Sequence, residues 1–418
     1  MNILIPIYID GFLHPLHKDN ELSLIYVKHI GDKDGKLLCL NHPDGIDIDD
    51  IAAIKNDHHY FYLTPDVKKI KHIFPDTRLI DINYLNWKEK NVPLDMDKIR
   101  VNAYDYFQSK YYNLKGLNKI IPLIKHKEYC ENLSNLMSSS VSSVYESVYM
   151  SEAITAFHTI ETNGIKVSDD VCDIFDERVR KHISDGKLYS QYNLWTSTGR
   201  PSNSFGNVNF AALTPEQRKA FLPENDYMVE FDFDAYHLRL IGDLIKYDFG
   251  KDSVHKHLAK YYECSYEESK QRSFKLLYGG IDKKTREKVP FFDEVQKYIN
   301  LKWSEFNSNK YVFTDIYRRK LLYNNYQDMN RNKLFNYLIQ AYETESNIKK
   351  ILLIQDYLLN KKTKLVLYGY DSFLFDFSNK DGVETLTEIR NILEEGKHYT
   401  KSKMGLNYGE MKDITNRL

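Results

Sequence analysis

Cysteine is scarce in this 418-residue chain. There are four, Cys39, Cys130, Cys172 and Cys264, and none falls into a CxxC or Cys/His ligand spacing. That argues against a disulfide framework or a structural zinc, and makes a reducing compartment, the cytoplasm, the expected location. Long apolar runs are missing too: none could span a bilayer, so no membrane partner is expected. The opening residues MNILIPIYIDGFL lack the basic segment and small-residue cleavage site of a secretory leader, and they break at Pro6 and Asp10. Charge of one sign is absent as well, since 58 Lys and Arg face 59 Asp and Glu for a net charge of −1. No global basic field therefore advertises nucleic acid, although a neutral chain can still concentrate cations along one cleft. There is no internal repeat and no low-complexity tract.

What is present fits a globular protein of two or three domains: hydrophobic content is 42% and charged content 28%. The 33 tyrosines suit an AT-rich coding genome and say nothing of mechanism. Residues 1–95 alternate strand-like runs, at 3–9, 22–30, 36–40 and 59–63, with turn chemistry at 31–35 and 43–45. Residues 65–74 read as a short helix with Thr64 as N-cap and Pro65 at its first position. This is a small α/β or α+β unit. From 101 to 187 the pattern is mostly helical, with an amphipathic segment at 151–162 that ends at Asn163-Gly164. The serine-rich residues 138–143 mark a soft boundary, either a mobile connection or a helix cap and turn. Residues 188–213 are polar and turn-rich around Thr198-Gly199-Arg200-Pro201. Helices are expected at both ends of 252–281 and at 291–306, 331–359 and 383–394, and a strand pair at 364–368 and 373–377.

The stretch 228–240, MVEFDFDAYHLRL, begins as a strand and turns helical. Val229, Phe231 and Phe233 alternate with Glu230, Asp232 and Asp234, and carboxylates so aligned repel unless they meet water, a cation or a metal. The bland alternative is a solvated strand face whose last Asp caps the next helix. Gly369-Tyr370-Asp371-Ser372 turns between two apolar strands and aims Asp371 off the sheet end, where an ordinary turn Asp would also sit. Taken together, Asp232 and Asp371 could hold two Mg²⁺ ions for phosphoryl transfer. A third feature is a helix opened by the capping box Ser265/Glu268 and closed at Gly279-Gly280. It puts Lys270, Phe274 and Tyr278 on one face, offering a cation for a triphosphate, a ring to pack on a sugar or base, and a second ring with a hydroxyl; a core edge with a snorkelling lysine is the plainer alternative.

The segments TGRPS, DFDAYHLR, KQRSFKLLYGG and YGYDS, in this order, resemble the signatures of family A (Pol I-like) DNA polymerases. The resemblance covers 149–418, most clearly 198–280 and 365–377. It implies an α+β fold, a right-hand polymerase of palm, fingers and thumb, with a small N-terminal α/β domain like a degenerate exonuclease. The implied division is 1–100 for that domain, 101–190 for a helical thumb region and 191–418 for palm and fingers, with fingers at about 250–345. By the same resemblance Asp232, Asp371 and the Phe233 carbonyl would bind two Mg²⁺ ions, with Mn²⁺ as a substitute. Lys270 would contact the incoming triphosphate and donate a proton to pyrophosphate. Phe274 would sense the 3′ position of the sugar, and Tyr278, followed by Gly279, would lie near the templating base. Arg200 would read the minor-groove edge of the primer terminus, Asn336 and Gln340 would contact template and primer, and His255 would lie near the phosphates. The tail Gly405-Leu406-Asn407-Tyr408-Gly409 also resembles the family's closing segment.

Several positions depart from the pattern. His237 stands in place of the glutamate that excludes the 2′-OH, and its bulk still implies deoxynucleotide preference. Tyr370 and Ser372 replace the His and Glu that flank the second aspartate; a Ser there also occurs in related single-subunit RNA polymerases. Tyr266 replaces a triphosphate-binding arginine, a role left to Arg272, His255 or an arginine elsewhere, and Thr214 replaces another arginine. The first strand ends Ile9-Asp10-Gly11-Phe12 without the D-x-E of a proofreading exonuclease, and Asp19-Asn20-Glu21 precedes a strand instead of ending one. The expectation is a divergent, phage-like DNA polymerase without active proofreading. Its partners would be primer–template DNA, dNTPs and a replisome or processivity protein. An RNA polymerase or primase, and an inactive nucleic-acid-binding replisome scaffold, are the alternatives.

Overall fold

Five apolar residues in the first eight positions, Ile3, Leu4, Ile5, Ile7 and Tyr8, are all buried, on both faces of strand β1 (Asn2–Tyr8). A strand buried on both faces belongs inside a sheet, and β1 is the middle one of five. Its neighbours are β2 (Leu22–His29), antiparallel, and β4 (Tyr62–Thr64), parallel; β3 (Lys36–Cys39) and β5 (Leu79–Asp81) complete the order β3-β2-β1-β4-β5. Leu4, Ile25, Leu38, Ile70 and Phe74 meet in one apolar cluster of this sheet. The computed structural model describes residues 1–45, 51–95, 107, 110, 116–140, 146–203 and 208–418; the side chains of 172, 278 and 279 lie outside that description. Two units are separable within it: Met1–Trp195 with Asn203–Asn209, and Thr196–Ser202 with Phe210–Leu418.

Within the first unit the helix expected at 65–74 is shorter and starts later, at Val67–Ile70. Its N-cap is Asp66, not Thr64: the Asp66 carboxylate accepts from Lys68 N at 3.1 Å, and Asp81 accepts from Val67 N at 3.1 Å. Two carboxylates thus take the free N–H groups, while Thr64 stays in the strand. Asp81 also accepts from Tyr84 N at 3.0 Å and so caps helix α1 (Ile82–Lys90), an element the sequence pattern did not mark. Two further helices follow, α2 (Leu123–Ser140), which packs on β1 and β2, and α3 (Val148–Asn163). Residues 138–140 of the serine-rich stretch belong to α2, and 141–143 lie outside the described residues. The α3 helix starts earlier than expected because Ser147 caps it, and it stops at Gly164 as the Asn-Gly pair implied.

The second unit is built on an antiparallel sheet. Strand β6 (Tyr227–Phe233) lies at its centre, flanked by the hairpin β7 (Lys364–Tyr368) and β8 (Ser372–Phe377) on one side. On the other side are β9 (Thr400–Gly405) and β10 (Met411–Asp413), giving the order β7-β8-β6-β9-β10. Phe231 is fully buried and meets Phe375 edge to face at 5.7 Å. A ring so buried stabilises by about 1.5–3 kcal/mol. Around the sheet run α4 (Tyr236–Ile245), α5 (Val254–Tyr262), α6 (Tyr266–Gly279), α7 (Pro290–Asn309), α8 (Arg331–Leu358) and α9 (Val383–Glu394). Phe291, Phe292, Val295 and Ile299 of α7 pack with Leu276 and Leu277 of α6 and Phe335 and Ile339 of α8 in one core. Among the described residues no helix is long and apolar enough to cross a membrane.

Candidate active site at the edge of the central strand

The register of β6 against β8 decides where the two key carboxylates go. Asp232 lies opposite Ser372, one residue beyond Asp371, and Phe233 N–H donates to the Asp371 carbonyl at 2.9 Å. Two residues 139 positions apart are thereby neighbours at one sheet end, and both line a cleft of about 400 Å³. The Asp232 carboxyl is pushed up to about 6, first by burial, then by the Asp371 and Glu230 carboxylates, against partial relief from Lys403 and Lys401. Asp371 is raised too, by burial first and by the Glu343 carboxylate second. The nearby lysines have other partners: Lys401 sits 3.0 Å from Asp234 and Lys403 3.4 Å from Glu230. Asp234 is therefore an ion-pair partner and does not cap α4, whose N-cap is Ala235 with φ 53° and no side-chain cap.

The turn that presents Asp371 is strained and braced. Tyr370 has φ 71°, a conformation that costs a non-glycine residue about 1–3 kcal/mol. Asn347, Arg200 and the turn's own hydrogen bond hold it there. Asn347 Nδ2 donates to the Tyr370 carbonyl at 2.8 Å and to the Tyr368 hydroxyl at 2.9 Å, and its Oδ1 accepts from the Tyr236 hydroxyl at 2.6 Å. The Arg200 guanidinium lies over the Tyr370 ring at 4.0 Å. Gly369 N–H donates to Ser372 O at 2.8 Å and closes the turn.

A helical wall faces this sheet end. The α6 capping box forms as the sequence implied: Ser265 Oγ accepts from Glu268 N at 3.3 Å and Glu268 Oε2 accepts from Ser265 N at 2.9 Å. Lys270 and Phe274, one turn apart, both line the cleft, with Phe274 41% exposed in it. His255 joins them, its carbonyl accepting from Ser269 Oγ at 2.8 Å. Arg239 fixes the connection from α4 to α5 by donating to the Asp234, Gly250 and Asp252 carbonyls at 3.1–3.2 Å.

Of the residues singled out from the sequence, the cleft brings together Arg200, Asp232, Phe233, His237, His255, Lys270, Phe274 and Asp371. Arg272 is not among its lining; its guanidinium lies over the Tyr262 ring at 4.4 Å. Helical geometry explains this, since two residues on from Lys270 is about 200° around the axis. Asn336 and Gln340 are half-buried on α8 and are not among the lining residues, although Gln340 is one turn before Glu343, which is; the Tyr278 and Gly279 side chains lie outside the described residues. Sequence reasoning passed over Glu343, Tyr236 and Lys401, which also line the cleft. Glu343 is the most consequential: its side chain is 1% exposed, with Oε2 2.8 Å from Arg200 Nε and Oε1 3.2 Å from His237 Nε2. Burial alone would raise its carboxyl, yet His237 and Arg200 hold it below the ordinary range. The available signal was a glutamate on the apolar face of a long helix pattern, four residues after Ile339 and eight after Phe335.

A metal fits this donor set. Two carboxylates and the Phe233 carbonyl are hard oxygens of the kind Mg²⁺ prefers, and a carboxyl raised by a neighbouring carboxylate is relieved by a divalent cation. Among the described residues no group of three or more His, Cys, Asp or Glu could hold a metal by itself. A two-carboxylate site leaves positions for water and phosphate oxygens, as Mg²⁺ sites with phosphate substrates commonly do.

No family model matches the chain, and no curated protein does. Among solved structures, the POL domain of Pol1 from M. smegmatis, in complex with DNA primer–template and dNTP, matches 98% of this chain and 96% of its own at a TM-score of 0.66. The chain shares the fold of that DNA polymerase domain. Identity is 12%, so the likeness is one of architecture. It spans both units, including the sheet that carries Asp232 and Asp371.

Proposed function

We propose that the chain is a template-directed DNA polymerase of the family A type, extending a primer 3′-OH with dNTPs and releasing pyrophosphate. The observation that carries this reading is the meeting of Asp232 and Asp371 at one end of the β6–β8 ladder, in a cleft that also holds Lys270, Phe274, His237 and Arg200. In this reading residues 191–418 are palm and fingers, with fingers at about 250–345, and 101–190 form the thumb. Residues 1–100 are a degenerate exonuclease-like domain without proofreading. Two Mg²⁺ ions held by Asp232, Asp371 and the Phe233 carbonyl would neutralise charge on the reacting phosphate and favour ionisation of the attacking hydroxyl. Lys270 places a cation where the triphosphate charge develops, and its ammonium is a proton source for departing pyrophosphate. Phe274 and His237 bracket the sugar, and His255 stands beside the phosphates. Arg200, stacked on Tyr370, directs its guanidinium to the primer terminus.

The likeness in fold to a polymerase domain solved with primer–template and dNTP supports DNA and dNTPs as partners. His237 and Ser372, the departures noted above, leave an RNA-synthesising enzyme as the reading to be tested against it. Extension of a labelled primer on a DNA template, with Mg²⁺ and either dNTPs or rNTPs, separates the two. Products with dNTPs far exceeding those with rNTPs are expected. The opposite preference would overturn the assignment, and extension with neither set would remove the enzyme altogether.

A further inference from the structure

Glu343 is used twice. It projects from the middle of α8 into the cleft, and its carboxylate lies 2.8 Å and 3.3 Å from two nitrogens of Arg200 and 3.2 Å from His237 Nε2. It is almost wholly buried, so removing Arg200 would strand its charge in a medium that solvates it poorly. Its geometry is therefore fixed, and it fixes what it holds. His237, in the first turn of α4, has two side-chain torsions and 13% side-chain exposure, and bulk excludes a hydroxyl only if it cannot swing aside. Arg200 in turn covers the ring of Tyr370, the residue before Asp371.

We infer that Glu343 is a positioning residue for sugar selection: it locks the His237 imidazole where a 2′-OH would lie, and ties that lock to Arg200 and the Asp371 turn. The inference rests on the polymerase reading above. It distinguishes two origins of discrimination, bulk at position 237 and bulk held in place by a carboxylate. His237→Leu keeps comparable bulk without a donor to Glu343, whereas His237→Gln keeps a donor.

The test is the ratio of kcat/KM for a dNTP to that for the matching rNTP, measured on the full chain with primer–template and Mg²⁺. Glu343→Gln should lower the ratio about ten-fold, the size expected when one polar contact to a buried carboxylate is lost. His237→Leu should lower it similarly and His237→Gln should largely preserve it. The double variant Glu343→Gln/His237→Leu should be no worse than His237→Leu alone. A Glu343→Gln effect that slows both nucleotides equally would overturn the inference, as would equal ratios for the Leu and Gln variants. The two His237 variants keep the Glu343–Arg200 pair, so the comparison stands even if Glu343→Gln folds poorly. Extension by the unaltered chain with neither nucleotide set would overturn the polymerase reading, and this inference with it.

Discussion

Two buried charge clusters, one in each unit, are built in opposite ways. In the N-terminal unit, Lys68 Nζ sits 2.5 Å from Glu161 Oε1 and 2.6 Å from the Tyr192 carbonyl, and the same carboxylate accepts from Tyr192 N at 2.6 Å. The pair lines a cavity of about 220 Å³, but its opposite charges satisfy each other and the Tyr192 backbone, which makes it a scaffold element. In the C-terminal unit Asp232 and Asp371 share a sheet end with Glu230 and Glu343, and the cleft opens beside them. Carboxyls forced together at a cavity are poorly placed for stability and well placed for binding cations and phosphate. Neither buried charge nor like charge marks a site by itself, since Asp81 is pushed up to about 7 by burial and the Asp66 carboxylate while both residues cap helices; the Asp232–Asp371 pair differs in lining the cleft together with Lys270, His237 and Arg200.

The sharpest way to break that contrast is to remove one member of each set. Glu161→Ala strands Lys68 and should cost about 3–5 kcal/mol in denaturant unfolding. Asp232→Asn, in metal-free buffer at pH 7, should leave the second unit at least as stable as before. Comparable losses from both would show that the cleft aspartates are scaffold as well. Next in size, Lys270→Ala should slow nucleotide insertion about a hundred-fold, in the range found for a lost transition-state donor. Primer–template affinity should change little, and the reverse pattern would make Lys270 a DNA contact.

The smallest effect is one of acid. Burial holds His14 down to about 3 and His126 and His158 to about 4 in the first unit. Such groups contribute stability that is present above pH 6.5 and lost as pH falls toward 4. Asp232, held near 6, does the opposite: its contribution is full below pH 3.8 and lost as pH rises through 6. Asp81 of the first unit, pushed up to about 7 by burial and then by the Asp66 carboxylate, acts in the same sense as Asp232 and against the histidines. His126→Asn and His158→Asn should therefore each lessen the stability lost between pH 6.5 and 4, as read by hydrogen exchange in the first unit. Over the same range the advantage of Asp232→Asn should grow with rising pH. An unchanged pH dependence in these variants would contradict the assignment of these groups.

The legible parts of the molecule were those set by local spacing. The α6 capping box, the end of α3 at Gly164, helix α9 and the β7–β8 hairpin follow from residues within a turn of one another. The order of motifs along the chain also singled out Asp232 and Asp371 before their register was known. Contacts made across the fold were hidden. Glu343 meets Arg200 from 143 positions away, and nothing in either neighbourhood announces the other. The positive φ of Tyr370 is tolerated because Asn347 and Arg200 brace it, and both come from other elements. Of the residues offered in place of the arginine that Tyr266 replaces, His255 lines the cleft, whereas Arg272 lies over the Tyr262 ring about 200° around the helix from Lys270.

The central claim is that the Asp232–Asp371 pair is the nucleotidyl-transfer site. It is tested most directly by single-turnover insertion of one dNTP on a defined primer–template with Mg²⁺, comparing the unaltered chain with Asp371→Asn. Rapid insertion by the former is predicted, with a loss on the order of a thousand-fold in the latter at unchanged primer–template affinity. Insertion by Asp371→Asn at the unaltered rate would contradict it.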